Sequence, residues 1–274
     1  MYSRVYVEIT NICNRSCSFC PGTVRPKERM TVNTFRTIAE RLQGVTQYLY
    51  LHIMGEPLTH PELPQILAAA RELGFRPCIT TNGTLLPQRA QELLDAGVYK
   101  FNISLHSFED GTREAHEKYI LSCARFARQA GQAGSLAVLR LWNNGFDGGL
   151  NDTTGALLRQ VFPEPWEEGP RGIRLADKVY LEYGERFDWP DLAAPEGGEK
   201  VYCYGLKDHF GILCDGTVVP CCLDREGELA LGNIFDQPIT EILDSPRAKA
   251  ILEGFRCRKA PEELCRKCGY ARRF

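Results

Sequence analysis

Cys13-Asn-Arg-Ser-Cys17-Ser-Phe-Cys20 packs three thiols into eight residues, directly after an apolar/polar alternation running from Arg4 to Thr10. Closely spaced thiolates with no histidine among them suit a soft metal centre, either zinc or an iron–sulfur cluster. A structural zinc site is closed by four protein ligands, and the next cysteine after this loop is Cys78. Three thiolates on a four-iron cluster would instead leave one iron open to a small molecule. So tight a group reads poorly as three incidental buried cysteines.

Strands and helices alternate away from this loop. Val5, Val7 and Ile9 share one face of the first strand, and Tyr6, Glu8 and Thr10 the other. A helix introduced by Thr31 runs from Val32 to Leu42. A second strand, Gln47 to Met54, sets Leu49, Leu51 and Ile53 against Tyr48, Tyr50 and His52. Helices from Pro61 to Leu73 and from Pro87 to Asp95 flank a strand from Arg76 to Thr81, and strand four is Tyr99 to Ser107. A long helix, Thr112 to Ala130, leads to strand five, Leu136 to Asn143, where Arg140 and Trp142 share a face. Gly145 to Gly172 reads as irregular apart from a helix near Asp152 to Val161. Strand six is Lys178 to Tyr183, with Tyr180 and Glu182 on one side.

Repeated βαβ units imply a parallel sheet, and six strands suffice for an open, partial (β/α)6 barrel. Parallel strands covered on both faces are usually apolar throughout. Here one face of each strand is aliphatic and the other carries Tyr, Glu, His, Asn, Ser or Arg. The aliphatic face therefore packs on an outer ring of helices. The polar face lines a wet cavity, unlike the filled interior of an eight-stranded barrel.

With 274 residues, 43% hydrophobic and 25% charged, the chain has the composition of a soluble globular protein with a substantial core. A net charge of -2 argues against a broad nucleic-acid-binding face. Neither a secretory leader nor a membrane span is expected, so twelve cysteines read as metal ligands in a reducing cytoplasm. The stretch from Gly184 to Lys200 reads as a linker. It divides residues 1–184, the barrel, from 185–274, which hold seven of the twelve cysteines. Phe210 to Val219 looks like a hairpin around Asp215-Gly216, and Ile239 to Glu253 like a helix broken near Pro246.

The C-x3-C-x2-C spacing of Cys13, Cys17 and Cys20 resembles the radical S-adenosylmethionine (SAM) enzymes, as does Met54-Gly55-Glu56-Pro57 at the end of strand two. The resemblance implies a four-iron, four-sulfur cluster on those three cysteines whose open iron binds SAM. Reductive cleavage would yield a 5′-deoxyadenosyl radical that takes hydrogen from substrate. It further implies that Gly55 and Glu56 meet the SAM amino group and that the Phe19 backbone meets adenine. Asn82 and Ser104 would meet the ribose, and Arg140 the carboxylate. Asn82 and Ser104 end strands three and four, on the side where ligands of parallel sheets bind.

Cys203, Cys221, Cys265 and Cys268, with Gly216 between the first two, resemble the first half of a SPASM domain, the shortened "twitch" form. This implies one auxiliary four-iron cluster. Cys214, Cys222 and Cys257 are surplus, Cys257 being the nearest rival ligand, and a zinc ribbon is the alternative for four thiolates.

For the substrate, a small polar molecule is expected. The short chain and its ending, Cys268-Gly-Tyr-Ala-Arg-Arg-Phe274, are similar to the queuine lyases of bacterial queuosine salvage. A two-electron dehydrogenase of a polyol or amino-cyclitol, a peptide-modifying enzyme and a non-catalytic electron carrier are the alternatives. Tyr50, Trp142, Tyr180 and Glu182 are the substrate-binding candidates, and His52, His106 and Glu8 the acid–base candidates. Flavodoxin or ferredoxin is the expected electron donor. No membrane and no stable nucleic-acid complex is expected.

Overall fold

The computed structural model describes residues 1–109, 111–170 and 172–273, so Phe274 of the C-terminal motif lies outside it. The barrel half runs β1 (Arg4–Val7), α1 (Val32–Arg41), β2 (Tyr48–Tyr50), α2 (Leu63–Glu72), β3 (Arg76–Thr81), α3 (Leu86–Asp95), β4 (Lys100–Ser104), α4 (Arg113–Gln132), β5 (Leu136–Asn144) and α5 (Leu150–Val161). It closes with β6 (Glu167–Gly169), β7 (Gly172–Ala176) and β8 (Val179–Glu185). Then come β9 (His209–Ile212), β10 (Thr217–Val219), β11 (Gly232–Asn233), α6 (Ile239–Leu243), α7 (Pro246–Arg256) and α8 (Glu263–Arg266).

Local chemistry explains where helices begin. The Thr31, Thr112 and Ser245 side chains accept from Thr34, Ala115 and Ala248 backbone N–H groups at the starts of α1, α4 and α7, using donors that the helix itself leaves free. Proline stands in the first turn of α2, α3 and α7, where its missing N–H costs nothing. Ser245 and Pro246 also account for the break between α6 and α7.

β1, β2, β3, β4, β5 and β8 pair in parallel and in that order. Their apolar residues Val5, Val7, Leu49, Ile79, Phe101, Ile103, Leu139, Leu141, Val179 and Leu181 are at most 2% exposed. They share one core with Phe35, Ile66, Ile120, Phe126 and Leu158 of the helices. The opposite face is polar and continuous in register. Tyr6 stands beside Tyr50, Tyr50 beside Cys78, Cys78 beside Lys100, Ser104 beside Arg140 and Arg140 beside Glu182. The partial parallel barrel expected from period-two counting is therefore the observed fold, an α/β architecture with a parallel sheet.

Three expectations need correction. Strand two stops at Tyr50 and strand four at Ser104, where a 3-10 turn, Leu105–Ser107, takes over. The segment Gly145 to Gly172 is less irregular than expected. After α5, β6 and β7 add an antiparallel extension to β8. β6 is Glu-Glu-Gly and wholly exposed, so it carries no apolar alternation to read.

The second half continues the same sheet. β9 and β10 form the hairpin around Asp215-Gly216, and β9 pairs in parallel with β1 from Arg4/His209 to Val7/Ile212. The sheet runs unbroken across the 184–200 linker, in the order β11-β10-β9-β1-β2-β3-β4-β5-β8-β7-β6. No helix among the described residues is long and apolar enough to cross a membrane.

Candidate active site

The cysteine loop is fastened at both ends and along its length. Asn11 Nδ2 donates to the Pro26 carbonyl at 2.7 Å and its Oδ1 accepts from Glu28 N at 2.8 Å. Asn14 reaches Thr84 Oγ1 at 2.9 Å, and Asn82 Nδ2 donates to Asn14 Oδ1 at 2.9 Å. The Ser18 N–H and hydroxyl both donate to Glu109, and Arg15 and Cys17 both donate to the Ser107 carbonyl. Cys13 and Cys20 are exposed and Cys17 half-buried. Burial, then Glu109, then Cys20 and Cys13 push the Cys17 thiol up to about 11. Thiols that crowd one another's charge in this way are a donor set for a soft metal, which displaces the protons on binding. The residues present fit a cluster held by Cys13, Cys17 and Cys20.

Gly55 follows. Its φ is +76°, and a Cβ there would stand 2.5 Å from the Thr10 carbonyl oxygen and 2.9 Å from Asn11 Cα, so β2 can pass the cysteine loop only with glycine. Glu56 N donates to the Ile12 carbonyl at 2.9 Å. Its buried carboxylate accepts from Leu58 N at 3.0 Å and Asn82 N at 2.6 Å. Burial nevertheless raises Glu56 to about 7, against the hydrogen bonds from Asn82, Leu58 and Thr81. Glu56 and Asn82 thus knit the exits of β2 and β3 to the loop.

Beside them, Phe19 packs on His106 with ring centroids 5.1 Å apart. His106 Nδ1 lies 3.1 Å from the Arg140 carbonyl and accepts from Trp142 N at 3.3 Å. Burial holds its pKa below the usual histidine range. Ser104 ends β4, its carbonyl accepting from the Tyr119 hydroxyl. Arg140 Nε donates to Glu182 at 3.2 Å, and its guanidinium lies over the Trp142 ring at 4.5 Å. A SAM carboxylate at Arg140 would therefore share it with Glu182. Gly184 leaves room for Trp142, whose ring would meet a Cβ there at 2.7 Å.

Deeper in the lumen, Tyr6 gathers Tyr50, His52 and His209, with centroids 5.3, 5.4 and 5.5 Å away. Burial and then Arg140 push His52 down to about 3, so it is a neutral imidazole, and its buried Nδ1 has no partner among the described residues. A cavity of about 660 Å³ opens at the strand starts, lined among others by Arg4, Tyr50, Lys100, Arg140, Tyr180 and Glu182. Tyr6 has the parity of Glu8 and was legible from it. His209 was not, because nothing in the sequence says that β9 docks on β1.

Glu8, expected beside the histidines as an acid–base group, is turned elsewhere. Arg25 donates to its Oε1 at 2.7 Å, as does Met54 N at 3.1 Å, and Cys214 N donates to Oε2 at 3.2 Å. With no exposure and both oxygens occupied, its carboxylate joins β1, β2 and the hairpin. The Cys214 thiol donates to the Glu8 carbonyl at 3.0 Å, which accounts for one surplus cysteine. Cys257 is exposed and donates to Glu253. Cys222 hydrogen-bonds with Tyr6. Cys203, Cys221 and Cys265 respond to cysteines of the second set, and Cys222 belongs to the same group, raised after burial by Cys203 and itself raising Cys221. After burial, Cys268 raises Cys203, Cys203 raises Cys221, and Cys203 with Cys268 raises Cys265. Cys203, Cys221, Cys265 and Cys268 supply the thiol chemistry that a soft cluster takes, with Cys222 beside them.

Residues 7–140 match the Radical SAM superfamily and residues 203–269 the iron–sulfur cluster-binding SPASM domain. The S-adenosyl-L-methionine-dependent 2-deoxy-scyllo-inosamine dehydrogenase of Niallia circulans is 30% identical over 98% of this chain and 93% of its own. An AdoMet-dependent heme synthase of Methanosarcina barkeri is 28% identical over 96% of this chain and 86% of its own. Among solved structures, BtrN in complex with AdoMet and 2-DOIA superposes with a TM-score of 0.62 at 20% identity, over 98% of this chain and 93% of that one. Native anSMEcpe with bound AdoMet gives 0.61 at 14% identity, over 97% and 89%. With whole-length kinship joined to both cysteine sets, the chain belongs to the radical SAM superfamily, is an enzyme of that class with a C-terminal SPASM domain, and takes as cofactors SAM, a four-iron, four-sulfur cluster and an auxiliary cluster.

Proposed function

We propose that this chain takes hydrogen from a small polar substrate in the barrel lumen, and that the substrate is queuine, cleaved by a radical lyase reaction that releases a 7-deazaguanine base. The observation that carries this reading is an aromatic lumen with a carboxylate in its wall. Tyr6, Tyr50, Trp142 and Tyr180 lie on the polar strand faces, and Glu182 is held by Arg140. The reduced cluster and SAM, when bound, supply a 5′-deoxyadenosyl radical. The protein's part is to orient the reacting carbon and to keep water and oxygen away.

A flat base gains from an aromatic face, and Glu182 offers acceptors to its N–H edge. The neutral His52, its Nδ1 without a partner among the described residues, offers a polar contact to the cyclopentenediol without bringing a charge. His106 lies against Phe19, beside the adenine position, and is the proton-transfer candidate nearest the cofactor. Asn82 and Ser104 are assigned to the ribose, Arg140 to the SAM carboxylate, and the Gly55-Glu56 backbone to the SAM amine. Glu8 is assigned a supporting role through its ion pair with Arg25. Cys203, Cys221, Cys265 and Cys268 hold the auxiliary cluster, and flavodoxin or ferredoxin supplies the electron.

The test is anaerobic incubation of reduced enzyme with SAM and free queuine. The expected result is 5′-deoxyadenosine and a free 7-deazaguanine base appearing together. A second reading, a two-electron dehydrogenase of a polyol or amino-cyclitol, draws on the whole-length similarity to the inosamine dehydrogenase. Oxidation of 2-deoxy-scyllo-inosamine with no turnover of queuine would overturn the lyase in its favour.

A further inference from the structure

The cavity at the strand starts opens at the end of the lumen away from the cysteine loop, and its wall is cationic. Arg4, Lys100 and Arg140 border it, against Glu182 as the one carboxylate among the described lining residues. Two of the three cations are already matched: Arg4 with Asp208 at 3.3 Å and Arg140 with Glu182 at 3.2 Å. Lys100 is not. It stands on the polar face between Cys78 of β3 and Leu136 of β5. No carboxylate among the described residues lies within ion-pair distance of its ammonium, and Glu182 is engaged by Arg140.

Lys100 is half-buried, and burial together with the neighbouring Arg140 charge disfavours its ammonium. A cation drawn partly out of water without a counter-charge is costly. An anion arriving from solvent would relieve both terms. Phenolic and aliphatic side chains make up most of the rest of the wall: Tyr48 and Tyr99 meet edge-on at 5.1 Å, Tyr50 and Tyr180 face the same space, and Leu136 and Val138 border it. At about 660 Å³ the cavity is of the size that small ligands fill.

We propose that this vestibule is a second ligand site, for a small ring compound bearing one anionic group, phosphate monoester or carboxylate, with Lys100 as its charge partner. The vestibule shares Tyr50, Tyr180 and Glu182 with the walls proposed for queuine, so the two ligands would compete there, while the anion subsite itself rests on Lys100. The aromatic wall takes the ring, and the anion sits at Lys100, where a charge-assisted contact is strongest.

Calorimetric titration of the cluster-loaded enzyme with phenyl phosphate, benzoate and neutral benzamide tests it. At least one of the two anions binds, its affinity falls as salt is raised, and benzamide binds at least about tenfold more weakly. The tighter anion tells phosphate from carboxylate. Lys100→Met weakens the anion at least about tenfold and leaves SAM binding unchanged, whereas Lys100→Arg retains it. Binding of neither anion, benzamide binding equal to theirs, or an affinity indifferent to both salt and Lys100→Met overturns the site. Queuine turnover without anion binding overturns the anion site alone, and anion binding without queuine turnover overturns the queuine reading alone.

Discussion

At Glu56 two effects oppose each other. Complete burial favours the neutral acid, while hydrogen bonds from Asn82, Leu58 and Thr81 favour the carboxylate; burial wins and lifts it from the ordinary 4.5 to about 7. The folded chain therefore holds a proton that the unfolded chain has released, so stability falls as pH rises from about 4.5 to about 7 and is level above. A shift of that size corresponds to about 3 kcal/mol. Thermal melts of the cluster-free chain across this window are expected to show the fall, and Glu56→Gln to flatten it. A wild-type midpoint independent of pH would mean that the hydrogen bonds cancel burial, and one that rises with pH that they outweigh it. The Gly55-Glu56-Pro57 motif itself was legible because it follows a strand. The partners of Glu56 were not, since they include a backbone N–H 26 residues away. Glu8 misled for a related reason. Strand parity gave its face, but the approach of Arg25 from the cysteine loop decided its role.

Among the elements, the strands that alternate strictly were readable, because each buries one face against helices. Those without such a face were not. β6 is three exposed residues, and for β9 the hairpin was readable but its docking on the β1 edge was not. The two cysteine sets divide along the same line. Cys13, Cys17 and Cys20 are local, so spacing alone identified them, whereas the second set runs 65 residues from Cys203 to Cys268, its widest step the 44 from Cys221 to Cys265. Their independence is testable. Each set fits one four-iron cluster, so the loaded chain should hold about eight irons. A Cys13/Cys17/Cys20→Ala triple variant should hold about four and lose all SAM cleavage. Loss of iron from both sets together would mean that the loop is needed to fold the second half. Zinc in the second set would make it a structural ribbon.

At the scale of the whole molecule, composition suggests a boundary near residue 184, and one sheet has strands from both sides of it. The linker is real in sequence, yet β9 crosses back to extend the parallel sheet from β1, with four residues of each strand in register. Phe210 and Ile212 of β9 are fully buried in the barrel's own core, and Tyr2 packs edge-on against Phe210 at 4.9 Å. Re-exposing the side chains that depend on this contact costs about 1.5–3 kcal/mol each. Removing β9 also leaves the β1 edge as an open row of hydrogen-bonding groups, the usual start of edge-to-edge association. A chain truncated after Gly184 should therefore melt roughly 10 °C lower than the full protein, from a loss of several kcal/mol. It should also elute as oligomers in size-exclusion chromatography. A truncated barrel that remains monomeric and melts with the full chain would establish two separable domains, and would reduce β9 to a docking contact between them.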